Sequence, residues 1–293
     1  MKRPNNTKKA WEKREDQRAR RMPFAKKSFG QNFLVDENYI GKIIEAVDPR
    51  EDELVIEIGP GRGALTERLL EKAGKAAALE LDRDMVPLLR EKFASFENFD
   101  LIDGDALDFD FEALAKGGKA KLVANLPYNI STAILQRLIE QRAAFSEMIL
   151  MFQKEVVERI TAPPGNGERG FLTVLVEAYL DATHLFDVPP RSFRPVPKVD
   201  SSIVRLVPRE ESEIGIADPK LFRQIASAGF AQKRKTILNN LKNLPPNLKQ
   251  LIPDAGAFLS SVGIDPRRRA ETLTLEEWKL ICETLSSVKN APA

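Results

Sequence analysis

The sequence predicts an α/β chain in which a doubly wound, parallel sheet is followed by a smaller helical domain. Three observations carry this. Apolar runs at 54–58, 76–81, 101–102, 121–124 and 148–152 alternate with segments of helical period. Successive runs end on chemistry-bearing residues, Gly59, Glu80, Asp105 and Asn125. Beyond residue 217 the strand-like runs stop and only helical patterns continue.

The bulk numbers narrow the class. A 293-residue chain with 43% hydrophobic residues can bury a sizeable core. No apolar run is long enough to span a membrane, and the basic N-terminus lacks the apolar core of a secretory signal. One cysteine, Cys282, excludes an internal disulfide framework and fits a reducing cytosol, so a cytoplasmic location is expected. One histidine, His184, leaves no His/Cys metal cluster, and no metal is expected. The net charge of +2 hides an asymmetry: residues 1–27 hold eleven Lys/Arg against three acids, a net +8, and the rest carries −6. A basic arm on a mildly acidic body points to a polyanion such as RNA. Residues 1–22 show no hydrophobic period and are expected to be disordered when free. A targeting segment is the rival reading, weakened by Glu12, Glu15 and Asp16.

The elements follow in order. Ser28 to Leu34 is a polar, bendable lead-in, and Asp36 caps a helix with Ile40, Ile43, Ile44 and Val47 on one face, ending near Asp48-Pro49. Leu54–Ile58 is a buried strand, and a helix begins at Ala64. Between them Gly59, Gly61 and Gly63 form a GxGxG turn, one residue short of the dinucleotide spacing. A pyrophosphate needs a wider cradle, so this form suits a ligand without phosphates. The second strand ends in Glu80-Leu81-Asp82, where a carboxylate can accept both hydroxyls of a ribose. Asp84 to Phe93 is an amphipathic helix. A third strand leads to Gly104-Asp105-Ala106, where Asp105 can accept from the exocyclic amine of an adenine ring. Glu80 or Asp105 alone is an ordinary surface carboxylate. As a series at successive strand ends, Gly59, Glu80, Asp105 and Asn125 converge on one edge and read as a nucleoside site.

The fourth strand delivers Asn125-Leu126-Pro127-Tyr128. Asn carries donors and an acceptor, Pro127 stiffens the turn, and Tyr128 offers a flat ring with a polar tip. Taken alone, the four residues make an ordinary strand-to-helix turn. In this series they make a stiff polar pocket suited to a planar nitrogen base.

Met148 to Phe152 is a further strand and Lys154 to Ile160 a helix, with a loop at 163–167. Phe171 to Leu180 is helical or mixed. The proline-rich stretch from Pro189 to Lys198 presents Phe193 as an exposed ring beside Arg194 and Lys198, a suitable surface for a splayed base and its phosphates. Its plainer reading is a proline-stiffened connection between strands. Ser202 to Val207 is expected to close the sheet, and 208–218 to be a linker. Helices follow at 221–231, 236–241, 255–261 and 275–285. Lys233, Arg234 and Lys235, and Arg267, Arg268 and Arg269, form basic clusters there that suggest phosphate contacts.

In their order, Phe29-Gly30-Gln31-Asn32-Phe33-Leu34, Glu57-Ile58-Gly59-Pro60-Gly61, Glu80-Leu81-Asp82, Gly104-Asp105-Ala106, the Asn125 to Thr132 block, Gln153-Lys154-Glu155-Val156, Pro195 to Ser201, Arg234-Lys235-Thr236 and Gly263-Ile264-Asp265-Pro266 closely resemble the KsgA/RsmA/Dim1 family of small-subunit rRNA adenine dimethyltransferases in its bacterial form. The resemblance covers about residues 28–285. It implies a Rossmann-like class I fold dependent on S-adenosylmethionine (SAM), with a smaller C-terminal α-helical domain. The boundaries expected are an arm at 1–27, a methyltransferase domain at 28–210 and an rRNA-binding domain at 217–293. SAM contacts are implied at Asn32, Leu34, Gly59, Gly61, Glu80, Asp105 and Asn125, of which Asn32 and Leu34 rest on the resemblance alone. Catalysis is implied at Asn125, Leu126, Pro127 and Tyr128, with Phe193 stacking on the base or close to it. RNA contacts are expected at Arg194, Lys198, Lys233, Arg234, Lys235, Arg267 and Arg268. The implied partner is 16S rRNA in the 30S subunit or its precursor, the chain acting as a monomer away from membranes. The basic arm is longer than the family leads one to expect. Rival readings are a 23S rRNA methyltransferase of the erythromycin-resistance type, a non-enzymatic ribosome-assembly factor, and an NAD-dependent oxidoreductase. The last is disfavoured by the GxGxG spacing and by the lack of a suitable catalytic histidine.

Overall fold

The computed structural model describes residue 26, residues 30–128 and residues 130–290. The rest of the basic arm, with the disorder and RNA contact expected of it, lies outside those residues, as do Phe29 and Asn129.

The chain enters through a two-residue strand, β1 (Phe33–Leu34), and helix α1 (Glu37–Val47). Asp36 caps α1 by accepting from the Asn38 N–H, and Ile40, Ile43, Ile44 and Val47 are its buried face, as the 3.6-residue period requires. Strands β2 (Leu54–Ile58), β3 (Lys75–Glu80) and β4 (Phe99–Asp103) alternate with α2 (Ala64–Leu70) and α3 (Val86–Lys92). Helix α4 (Phe111–Ala115), β5 (Ala120–Asn125), α5 (Ser131–Glu140) and β6 (Phe145–Gln153) complete the parallel part. Then come α6 (Lys154–Ile160), α7 (Phe171–Tyr179), β7 (Leu180–Val188), the short β8 (Phe193–Arg194) and β9 (Ser201–Pro208).

The seven-stranded sheet has the order β4-β3-β2-β5-β6-β9-β7. Its first five strands are parallel, and β9 and β7 join antiparallel. From β2 the chain winds outward to β4, then crosses back to place β5 on the other side of β2. That reversal makes a topological switch point at the carboxyl ends of β2 and β5, where open α/β sheets hold their ligands. Both faces are covered, so the central strands are apolar on both sides. Val55, Val123 and Ile149 face α1 and α2. Ile56, Leu122 and Leu150 face α5, α7 and the C-terminal helices.

Three expectations change here. Ser201–Pro208 does not close the sheet; it lies inside it, and β7 is the edge. The strand at 180–188 is not expected from the sequence: it has no regular apolar–polar alternation, and as the edge strand most of its positions are half-exposed or exposed rather than buried on one face. The stretch read as a linker holds a short helix, α8 (Glu211–Ile214), whose Ile214 is buried in the main core.

The C-terminal region consists of α9 (Pro219–Gly229), α10 (Ile237–Lys242), α11 (Pro246–Lys249), α12 (Ala255–Ser261) and α13 (Leu275–Asn290). Asp218 caps α9 through the Leu221 N–H and pairs with Lys289 of α13 at 2.9 Å. Trp278 stacks on Phe230 and is fully buried. Phe222, Ile225 and Trp278 belong to the same apolar core as Leu122 and Leu175, so these helices share a hydrophobic interior with the sheet.

Candidate active site

The register of the sheet assembles the site. Ile58 pairs with Leu79 on one side and Ala124 on the other, so Gly59, Glu80 and Asn125, each one residue further on, lie level across three strands. They line a cleft of about 910 Å³, counted to its open mouth, together with Asn32, Gly61 and Asp105. The walls are mostly apolar, from Ile58, Leu79, Ala106 and Leu126, and the polar groups are few and convergent.

The glycine turn is shaped by its neighbours. Gly61 has φ +54, and its N–H donates to Glu80 Oε2 at 3.2 Å. A side chain there would be strained and would press on the Phe33 ring. Gly63, at φ +77, lies so close to Phe93 that a Cβ would stand 2.6 Å from its ring. Glu80 also accepts from the Asp82 N–H at 2.8 Å. Burial pushes its pKa up, and these backbone bonds oppose the shift. Asp105 Oδ1 accepts from the Leu107 N–H at 2.9 Å, which fixes its turn at the rim.

Asn125 has half its amide committed. Its Nδ2 donates to the backbone carbonyl of Asn32 at 3.1 Å, which leaves Oδ1 as the acceptor offered at the cleft. Asn32 is held in turn by its own Nδ2, which donates to Gly30 O at 3.2 Å. Tyr128 is pinned at both ends. Its carbonyl accepts from Ser131 Oγ at 3.0 Å, and its hydroxyl lies 2.7 Å from Ser201 Oγ. Burial raises the Tyr128 pKa, so the phenol stays neutral. Behind the glycine turn Glu57 is buried and accepts from Thr66 Oγ1 at 2.6 Å. Burial raises its pKa to about 7, against that hydrogen bond and with the help of the Glu80 charge.

Other anticipated residues fall elsewhere. Leu34 lines a smaller pocket that shares Gly59, Gly61 and Asn125 with the cleft; its side chain packs into the core with Ile40 and Ile43, and its backbone pairs with Phe193. Phe193 is not an exposed ring. It is 1% accessible, because the β1–β8 pairing draws it under the lead-in segment rather than out into solvent. Arg194 and Lys198 are exposed. The Arg194 Nη1 turns back to donate to Arg191 O at 3.1 Å and Phe193 O at 2.8 Å. Lys233, Arg234 and Lys235 are exposed on the turn between α9 and α10. Arg267 is exposed and paired with Asp265 at 2.9 Å. Arg268 is not an open phosphate contact: it holds Glu277 at 2.5 Å and Thr272 O at 2.6 Å, so its charge is spent within the fold.

Sequence reading missed four contributors, Gln31, Lys26, Asp82 and Ser201. Gln31 and Lys26 both bind Asp82, at 3.1 and 2.6 Å, and Gln31 and Asp82 line the cleft. Burial pushes the Asp82 carboxyl up, but the hydrogen bonds from Lys26, the Asp84 N–H and Gln31 outweigh it and hold its pKa below the usual range. Its place two residues after Glu80 was the available signal. Ser201 had none, since its partner lies 73 positions away.

The cleft fits SAM. Glu80 is a nearly enclosed carboxylate at the ribose position of such sheets, Asp105 is an acceptor at the rim, and the apolar walls suit an adenine and a thioether stem. Fold and site together define a class I SAM-dependent methyltransferase. Comparison with known proteins makes this specific. Residues 23–286 match the ribosomal RNA adenine dimethylase family, and the chain belongs to that family. It is 45% identical over 258 residues to ribosomal RNA small subunit methyltransferase A of Chromohalobacter salexigens, covering 86% of this chain and 88% of that one. With the protein of the same name from Xanthomonas oryzae pv. oryzae, identity is 47% over 237 residues, covering 80% and 90%. Among solved structures, a dimethyladenosine transferase from Plasmodium falciparum aligns with TM-score 0.73 and 28% identity over 88% of this chain and 98% of that one. The 23S rRNA methyltransferase ErmE aligns with TM-score 0.64 and 26% identity, over 87% and 100%.

Proposed function

We propose that this protein dimethylates the N6 amines of two adjacent adenines near the 3′ end of 16S rRNA, within the 30S subunit or its precursor, with SAM as methyl donor and without a metal. The observation that carries the chemistry is the half-committed amide of Asn125 at the switch point. Relatives named for the small subunit reach 45–47% identity, against 26% for ErmE, and this favours the small-subunit substrate. Among the described residues no helix is long and apolar enough to cross a membrane. A monomer working in the cytoplasm is the simplest setting for this reaction.

Bound SAM supplies an electrophilic methyl on a sulfonium; the rest is the work of this chain. The N6 lone pair of adenine is delocalised into the ring and is a weak nucleophile. Asn125 Oδ1 and a backbone carbonyl of the following turn accept its two N–H bonds, which favours a pyramidal nitrogen. The Pro127 carbonyl already accepts from the Ile130 N–H at 3.2 Å, so Leu126 is the better second acceptor. Tyr128, pinned by Ser131 and Ser201, supplies the stacking face. Stacking at about 1–3 kcal/mol per base offsets an unstacking cost of roughly a few kcal/mol. No strong base is required, because the N6 proton becomes acidic once nitrogen is alkylated and can pass to water. Positioning and aimed dipoles do the rest. Phe193 supports this site through the β1–β8 pairing, which begins at Phe33, directly after Asn32.

The test is transfer from labelled SAM to unmethylated 30S subunits, 50S subunits and naked 16S rRNA, with Asn125→Ala as control. Label in 30S as N6,N6-dimethyladenine, absent with the variant, is expected. Label in 23S rRNA would move the substrate to the resistance-type relatives. SAM binding without transfer to any acceptor would favour an assembly factor.

A further inference from the structure

The residue two places after Glu80 is organised more closely than a turn requires. Asp82 is 2% exposed, so its carboxylate is taken out of water at the wall of the cleft. Its backbone N–H donates to Glu80 Oε1 at 2.8 Å, and its carbonyl accepts from the Met85 N–H at 2.8 Å. Its side chain serves other partners. Oδ1 accepts from Lys26 Nζ at 2.6 Å and from the Asp84 N–H at 3.1 Å, and Oδ2 accepts from Gln31 Nε2 at 3.1 Å. A buried carboxylate is costly unless donors surround it, and hydrogen bonds to a charge are the strong ones.

Gln31 lines the cleft, yet both ends of its amide are committed to this chain rather than to a ligand. Nε2 holds Asp82, and Oε1 accepts from the Lys26 backbone N–H at 2.9 Å. Residues 31 and 32 lie in neither helix nor strand, so side chains must fix them. Before them Gly30 turns the chain at φ +60, and Asn32 Nδ2 ties back to its carbonyl at 3.2 Å. After them Phe33 and Leu34 pair with Arg194 and Phe193. The Asn32 carbonyl sits between these ties and accepts from Asn125 Nδ2 at 3.1 Å. A chain of contacts therefore runs from Asp82 through Gln31 and Asn32 to the amide whose oxygen is left for the base. An amide that swings freely aims that oxygen only part of the time, and misplacement of a catalytic dipole is costly in rate.

We infer that Asp82 is a positioning residue for methyl transfer, which holds Gln31 so that the Asn32 carbonyl fixes the orientation of the Asn125 amide. The inference deepens the proposed reaction and rests on it. It also separates two duties of one residue: the backbone of Asp82 steadies Glu80, and its carboxylate steadies Asn125.

The test exchanges donor and acceptor. In Asp82→Asn every orientation of the new amide sets a donor against Gln31 Nε2 or against Lys26 and the Asp84 N–H. Gln31→Glu sets two carboxylates together. In the double variant the new carboxylate at 31 accepts from the Lys26 N–H and from the new amide at 82, whose oxygen keeps Lys26 Nζ and the Asp84 N–H, and net charge is unchanged. Transfer to unmethylated 30S subunits is assayed well below the thermal midpoint, SAM affinity is read by calorimetry, and the Asn125 side-chain amide is followed by NMR in protein labelled with ¹⁵N-asparagine, its signals assigned by their loss in Asn125→Ala. Each single variant is expected to lower kcat about tenfold, as for one lost hydrogen bond to a charge. SAM affinity should change less than about threefold, because the Asp82 N–H to Glu80 survives. The Asn125 amide signals should move in both single variants. The double variant should return kcat to within about threefold of wild type and restore those signals. Wild-type kcat in the single variants, or a double variant no better than they are, would overturn the inference. A raised KM for SAM at unchanged kcat would overturn it too, by confining Asp82 to the cofactor wall. A wild-type chain that methylates no acceptor would overturn the proposed reaction instead, and the Asn125 amide signals would still decide whether Asp82 positions that side chain.

Discussion

Strand β5 carries a polar residue near each end, and the two meet opposite fates. Lys121, toward the start, is buried and saturated. Its Nζ donates to Val47 O at 3.0 Å and Asp48 O at 2.7 Å, and pairs with Glu53 at 3.1 Å and Glu147 at 3.4 Å. It closes the carboxyl end of α1 and binds the amino edge of the sheet. Asn125, four residues on, has its amide nitrogen tied down and its oxygen left for a ligand. A polar group that serves the fold has its valences filled from within, since an unfilled one costs free energy. A polar group that serves a substrate is held by some of its valences and keeps another open. The basic residues of the C-terminal region divide the same way: Arg268 is spent on Glu277 and Thr272, whereas Lys233 to Lys235 are not.

This contrast can be broken or sharpened by substitution. Asn125→Ala should lower methyl transfer at least about a hundredfold while leaving the thermal midpoint and RNA affinity near wild type. A parallel loss of RNA affinity would place Asn125 in binding rather than in chemistry. Lys121→Met should do the reverse, costing about 3–5 kcal/mol of stability by stranding buried partners. Transfer per folded molecule, assayed well below the midpoint, should then be unchanged.

Glu57 tests the space beneath the glycine turn. Its folded pKa, about 7, lies above the ordinary value of 4.5, so the buried neutral form is favoured. The stability it contributes is complete below about pH 4.5 and is lost as pH rises through about 7, a span worth about 3 kcal/mol. Glu57→Gln should remove that pH-dependent fall from denaturant titrations, and a slope equal to wild type would reject the assignment. Glu80→Ala should weaken SAM affinity by about ten- to a hundredfold, as expected for charged hydrogen bonds worth about 1.5–3 kcal/mol; calorimetry reads this directly. The smallest effect is expected at Ser201. Ser201→Ala frees one end of the Tyr128 ring and should reduce kcat a few-fold, about 1 kcal/mol, with KM for SAM unmoved. A change in that KM instead would mean that Ser201 shapes the cofactor cleft rather than the base platform.

Local sequence determined the parallel half of the sheet, the cap of α1, and the strand ends bearing Gly59, Glu80, Asp105 and Asn125. Each is written within a dozen neighbouring residues, as an apolar period, a cap or a turn, and parallel winding places such ends on one edge without further information. Only the tertiary structure decided the rest. Phe193 became core, Ser201 became the partner of Tyr128, Asn32 became the anchor of Asn125, and β9 was inserted between β6 and β7. Each of these depends on a pairing between segments far apart in the chain, such as Leu34 with Phe193. A two-residue strand has no period to read, and a hydroxyl gives no sign in sequence of what will face it. The valences of Asn125 were legible as a type of side chain, but which one stayed open was settled when a distant carbonyl took the other.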